Sequence, residues 1–187
     1  SSAFTQSLTL LTFESYSFSD KIVTEEGLDG KIGDGFQWGG GLEIGMKGNA
    51  LELIYQRLDT YGYINYLSGQ SKGNIGVNYI MLGGTRYLPV SPTVSGFSTV
   101  DLGMAILGTK DNPNDTDISK FAWGLRLGLR IAPSDKVSFR IHGQMFSAVQ
   151  AFGGGVYFGT GGSGAGVTGY STFWQFNVGG SVNIRIK

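Results

Sequence analysis

The feature that most constrains this chain is an apolar–polar alternation of period two, sustained over about ten residues at a time. In the last segment Trp174, Phe176, Val178, Gly180, Val182, Ile184 and Ile186 share one face, and Gln175, Asn177, Gly179, Ser181, Asn183 and Arg185 share the other. Phe121 to Ile131 repeats the pattern, with Arg126 and Arg130 on its polar side. So do Val137 to Met145, with Arg140 and His142, and Phe36 to Met46, with Gln37 and Glu43. Soluble strands usually run about five or six residues, whereas a tilted strand crossing a hydrocarbon layer needs about 9 to 11. The length of the alternation therefore predicts strands that cross a membrane.

Eight such strands are predicted near residues 4–17, 33–47, 50–65, 73–88, 95–108, 119–132, 136–150 and 170–186. The links after the second, fourth and sixth are short: Lys47-Gly48-Asn49, Pro89 to Val94, and Pro133-Ser134-Asp135. Those at 18–32, 109–118 and 151–169 are long and polar or glycine-rich, while the link around Ser68 to Ser71 is short. Short turns at one end and long loops at the other, with an even strand number, predict an all-β, eight-stranded, antiparallel up-and-down transmembrane β-barrel. Closure is required because lipid cannot hydrate a sheet edge. One domain covers 1–187, since nothing in the composition divides the chain.

Composition agrees with an exported barrel and narrows the function. Lys plus Arg number 14 and Asp plus Glu 14, so there is no basic footprint for nucleic acid. There is no cysteine, which removes disulfides, thiolate metal sites and cysteine nucleophiles. The start, Ser1-Ser2-Ala3-Phe4, has neither a basic nor a hydrophobic region of a signal peptide, so an exported chain is expected to have lost its own before this numbering begins.

Aromatic residues cluster near strand ends. Phe36, Trp38, Tyr61, Tyr63, Phe121, Trp123, Phe173 and Trp174 lie beside the long loops, and Tyr87, Phe97 and Phe139 lie near the short turns. Two belts of this kind are expected where rings meet lipid headgroups. Two places depart from the pattern. Leu10-Leu11 interrupts the alternation of the first strand, where a bulge would be one explanation. Arg57 and Asp59 share a face with Leu51, Leu53 and Tyr55. An Arg on the lipid face costs about 2–4 kcal/mol at mid-membrane, and a bulge, a neighbouring charge or a protein partner would relieve it.

The inward faces are expected to collect Glu43, Glu52 and Asp101 against Arg86, Arg126, Arg130, Arg140 and Arg185. Eight strands enclose a space about wide enough for side chains to fill. The predicted outcome is a salt-bridged lumenal plug; the competing reading is a narrow, gated path for ions or small solutes. His142, the only histidine, has no serine two positions on, and Ser138 and Ser147 are too far along its strand to complete a Ser–His pair, so it reads as a lumenal histidine and not a catalyst. The carboxylates of Asp111, Asp115 and Asp117 lack the glycine and distal glutamate of a calcium loop and read as a surface turn. The glycines at 153–155 and 159–169 lack the strand–loop–helix context of a phosphate cradle and read as an outer loop. No metal or cofactor is expected.

The overall pattern resembles the small outer-membrane barrels: the transmembrane domain of the OmpA type, the OmpX/Ail type and the broad outer membrane protein beta-barrel group. The resemblance spans nearly the whole chain and rests on architecture, not on a diagnostic motif. Many proteobacterial barrels end in an aromatic residue, whereas this sequence ends Arg185-Ile186-Lys187, and within these 187 residues no periplasmic domain like that of full-length OmpA-type proteins is expected. The resemblance implies residence in a bacterial outer membrane, with outer-membrane lipids and lipopolysaccharide as contacts and other outer-membrane proteins as candidate partners. The expected role is a non-enzymatic membrane anchor for surface loops, or a subunit contacting other membrane proteins, ahead of a narrow pore. A lipid-modifying enzyme and a soluble ligand-binding barrel rank below both.

Overall fold

The computed structural model describes residues 7–23, 29–66, 69–109, 118–151 and 170–187. Ten strands follow one another: β1 (Ser7–Ser17), β2 (Asp20–Val23), β3 (Asp29–Ile32), β4 (Gly35–Met46), β5 (Asn49–Tyr66), β6 (Gly69–Pro89), β7 (Val94–Thr109), β8 (Ile118–Ile131), β9 (Val137–Ala151) and β10 (Tyr170–Arg185). Eight of them form a closed antiparallel ring, β1-β4-β5-β6-β7-β8-β9-β10, sealed where β10 pairs with β1 from Thr9↔Arg185 to Ser17↔Asn177. No helix occurs among the described residues.

The register fixes the shape of the barrel. Paired residues followed once around the ring run Ser7, Gly45, Ala50, Thr85, Thr99, Arg126, Gln144, Asn177 and back to β1 at Ser17, a shear of ten residues. Eight strands with that shear tilt about 40° and enclose a backbone cylinder of about 8 Å radius. Each residue then climbs about 2.5 Å along the axis, and each step to the next strand about 3 Å.

Alternation sends apolar side chains outward. Leu53, Ile80, Leu82, Leu102, Leu127, Ile141 and Val178 are each about half exposed, although mid-strand. A soluble barrel would enclose this face; here it forms an outer band about 25 Å tall, the height of a hydrocarbon layer. The polar face is inside, where Arg126, Glu52 and Asp101 have no exposed surface.

The turn at Lys47-Gly48 is two residues long, and Gly48 takes φ 74°, a conformation an L side chain rarely adopts. β1 contains no bulge: it pairs without interruption from Ser7↔Gly45 to Ser17↔Gly35. The Leu10-Leu11 doublet arises because this small lumen also takes apolar residues, Leu10 pointing out while Leu11 and Phe13 are buried inside.

The outer end is more ordered than the sequence pattern implies. The segment 18–32, expected as a loop, contains β2 and β3, which pair with each other, and β3 pairs with β5 at Gly30↔Ile64 to Ile32↔Gly62. β5 and β6 stay paired as far as Tyr66↔Gly69, so Gly69 to Ser71, expected in the short third link, belong to a strand. Together β2, β3 and the upper parts of β5 and β6 make a four-stranded extension above the rim. The other two long links, including the Asp111–Asp117 turn and the glycine-rich stretch, lie outside the described residues at 110–117 and 152–169.

Candidate functional site: the lumen

Three tiers of side chains fill the barrel. The lowest is an ion-pair network built from β4, β5, β7, β8 and β9. Arg126 binds Asp101 side-on, Nε to Oδ2 and Nη2 to Oδ1, both at 2.9 Å, and its Nη2 also donates to Glu52 Oε2 at 2.7 Å. Arg140 donates through Nη1 to Glu52 Oε1 at 2.9 Å and through Nη2 to Glu43 and to the Tyr87 hydroxyl. Glu52 thus bridges two guanidinium groups, and it accepts a third bond from Thr85 Oγ1 at 2.6 Å. Thr85 and Thr99 are hydrogen-bonded to each other at 2.7 Å, and Tyr87 donates to Glu43 at 2.5 Å.

Rings pack against the cations. Arg126 lies 5.2 Å from the centre of Phe13, and Arg140 lies 5.1 Å from Phe97 and 5.5 Å from Tyr87. A delocalised guanidinium can satisfy carboxylates along its edge while its faces rest on aromatic surface, which lysine cannot do. Gly83 makes room for the network. A Cβ there would fall on the Asp101 carboxylate, 3.1 Å from Thr99 Cγ2 and 3.4 Å from Arg126 Nη2.

Above the charges sits an amide tier. Gln144 donates to Gln56 at 3.0 Å and to Gln37 at 3.3 Å, and Ser15 donates to Gln37 at 3.3 Å. The uppermost tier is mainly apolar: Leu58, Val77, Ala105, Ala122 and Ala148 surround Tyr79 and Phe146, whose rings lie 4.8 Å apart. Tyr79 donates to Gln175 at 2.6 Å, and Gln175 donates to Ser17 at 2.7 Å.

Of the eight residues expected in the lumenal network, the structure brings Glu43, Glu52, Asp101, Arg126 and Arg140 into one cluster. Arg130 is only half-buried at the lower mouth, donating to Ser138 Oγ at 3.1 Å with its guanidinium 5.2 Å from the Tyr87 ring. Arg185 shares the inward parity of Asn183 but is exposed at the same mouth. Arg86 is a correction: it points outward, because Thr85 and Tyr87 on either side face in. A guanidinium so close to the barrel end reaches the headgroup zone on its own alkyl stem.

The outer belt residues Phe36, Trp38, Tyr61, Phe121, Trp123 and Trp174 all face outward, the last two edge to face with ring centres 5.5 Å apart. The side chains of Tyr63 and Phe173 lie outside the described residues. The lower belt is corrected: Phe139 faces out, but Tyr87 and Phe97 face the lumen and cradle arginines.

His142 is buried in the lumen with its ring 6.1 Å from Phe13, edge to face. Ser138 Oγ is engaged by Arg130 and Asn183, and Ser147 lies on the opposite face of β9, buried beside Trp123 and Trp174. No Ser–His pair forms among the described residues.

Arg57 and Asp59 do point outward. Relief comes from a neighbouring charge and an amide, Arg57 Nε donating to Asp59 at 3.1 Å and Nη1 to Asn78 at 3.3 Å. The pair sits about 24–29 Å above Ser7, in the outer aromatic zone and not at mid-membrane.

No family model matches the chain. No curated protein matches its sequence. Solved structures do match. Neisserial surface protein A superposes with a TM-score of 0.68 at 10% identity, covering 96% of this chain and 97% of that one. The outer membrane protein OprG from Pseudomonas aeruginosa superposes with a TM-score of 0.59 at 12% identity, covering 97% of each chain. Identity this low speaks for fold alone, and both matches run nearly end to end. The chain therefore has the fold of the small eight-stranded outer-membrane β-barrels.

Proposed function

We propose that this protein is a closed, non-enzymatic barrel of a bacterial outer membrane that anchors its outer-end extension at the cell surface. The observation that carries the reading is the tier of Arg126, Arg140, Glu43, Glu52 and Asp101, which crosses the lumen with direct bonds of 2.9 Å and less. Charges buried at this depth are stable only when paired and hydrogen-bonded. A permeating ion would have to break those pairs, and the amide and apolar tiers above would resist its approach. What the barrel offers to the outside is the extension of β2, β3, β5 and β6 together with the long outer links. Outer-membrane lipids, lipopolysaccharide among them, contact the apolar band and its aromatic belt.

Planar-bilayer recording of the refolded protein, with heat-modifiability on a gel as proof of folding, tests this. A folded, heat-modifiable species without conductance supports the closed anchor. Discrete conductance that changes on replacing Arg126 or Glu52 overturns it in favour of a narrow gated path.

A further inference from the structure

The outer wall is not uniform. Around β7 to β10 the outward residues of the band carry no charge and are mainly apolar, as in Leu102, Leu125, Met145 and Val178, with Ser98 among them. Around β1, β4, β5 and β6 the upper half of the wall carries Glu14, Arg57, Asp59 and Asn78. Glu14 is the most demanding of these. It points outward from β1 and is exposed, with no hydrogen bond or ion pair among the described residues. It lies about 17 Å above Ser7, level with outward Leu82, Val100 and Leu125, and so within the hydrocarbon band. A carboxylate facing lipid at that depth is costly and marks a contact with something polar.

The same wall supplies a cation in Arg57, which already binds Asp59 and Asn78 and can share its guanidinium with a second carboxylate, as Arg140 does in the lumen. The register Glu14↔Trp38 and Trp38↔Arg57 places Arg57 two strands from Glu14, with Trp38 between them. Their Cα atoms are about 10 Å apart in the wall, with Arg57 about 6 Å the higher. A two-fold axis along the membrane normal through Trp38 exchanges these lateral positions. The partner's Glu14 then lies directly below Arg57, within the length of an arginine side chain, and Arg57 of the partner subunit lies above Glu14. Each carboxylate gains a cation, and one two-fold operation satisfies both.

The surface around the axis suits a close approach. Gly180 flanks Glu14 and Gly40 flanks Thr12, so no side chain stands between the strands at those points. Small residues let backbones approach in a membrane, and a central tryptophan is a favoured interface anchor. We propose that the β1–β4–β5 wall is a dimerisation surface that takes a second copy of this chain, held by reciprocal Glu14–Arg57 pairs on either side of Trp38. The inference rests on the membrane placement of the barrel and not on the closed lumen.

Because the chain has no cysteine, single cysteines can report the contact. Thr12→Cys lies almost on the proposed axis, and Leu102→Cys lies on the apolar wall as a control. In vesicles, with folding checked by heat-modifiability, a short bis-maleimide should join two copies of the Thr12→Cys protein and leave Leu102→Cys monomeric. Adding Glu14→Gln should cut the cross-linked yield at least tenfold, and Glu14→Arg with Arg57→Glu should recover most of it. Folded Thr12→Cys protein that stays monomeric, or yields indifferent to Glu14, overturns the proposal. Cross-linking of Thr12→Cys in native outer membranes to a different polypeptide overturns the second copy in favour of another partner. Protein that folds but never enters the bilayer overturns the membrane placement, and this inference with it.

Discussion

Arg126 on β8 grips Asp101 on β7 through two parallel bonds of 2.9 Å while reaching across the lumen to Glu52 on β5 at 2.7 Å. One side chain thereby ties an adjacent strand to a distant one. Arg126→Met removes the cation and leaves Glu52 with Arg140 alone and Asp101 with none. Breaking a buried pair from one side costs about 3–5 kcal/mol, far more than the net value of the intact pair. The urea midpoint for unfolding from vesicles should fall accordingly, and an unchanged midpoint would show that water compensates these charges.

Glu52 and Glu43 are not equivalent. Glu52 serves Arg126, Arg140 and Thr85, whereas Glu43 shares Arg140 with Glu52 and is also bonded by Tyr87. Glu52→Gln weakens two guanidinium groups at once, leaving Arg126 with Asp101 and Arg140 with Glu43, whereas Glu43→Gln weakens Arg140 alone. Glu52→Gln should therefore destabilise by about 1.5–3 kcal/mol and Glu43→Gln by distinctly less. Equal losses in equilibrium unfolding would refute this ranking.

Two neighbouring glycines on β6 separate lumen from lipid. A Cβ at Gly83 meets Asp101, Thr99 and Arg126, while a Cβ at Gly84 meets nothing within 4 Å. Gly83→Ala should cost about 1–3 kcal/mol as an overpacked core site. Gly84→Ala should be neutral or stabilise by up to about 1 kcal/mol through the unfolded chain. Reversal of that order would mean the strand is turned the other way.

All three tryptophans face outward, at about 21 Å for Trp38, 23 Å for Trp123 and 29 Å for Trp174 above Ser7. Single-tryptophan variants in brominated lipids should rank in that order of depth, with Trp38 quenched best by bromines furthest down the acyl chain. Equal, weak quenching of all three would remove the belt from the membrane surface.

The barrel was largely legible because alternation, length and link lengths all report one geometry. Strands such as β8 to β10 declare their phase, with bulky apolar residues on one side and polar or small ones on the other. β6 is harder, since Tyr79, Met81 and Tyr87 face in while Ile80, Leu82 and Leu88 face out, leaving both faces bulky. There the charge of Arg86 favours an inward reading, although near a rim a charge does not fix the face. Phe97 carried a better signal: it shares parity with Thr99 and Asp101, so an inward Asp101 already required an inward Phe97. Which carboxylate meets which guanidinium was not legible, because that depends on a shear that no single strand contains. The β2–β3 hairpin was missed for a related reason, its strands being four residues long and β3 paired to the distant β5.

The charges of the lowest tier are divided by chain order. Glu43, Glu52 and Asp101 all precede residue 110, and Arg126 and Arg140 follow it. A sheet of β1 to β7 alone would present lumenal carboxylates without their guanidinium partners, and one of β8 to β10 alone the reverse. Neither can settle alone, yet each attracts the other. A chain cut between β7 and β8 should therefore reassemble from its two fragments, the electrostatic mismatch of each half guiding it to its complement before β10 finds β1.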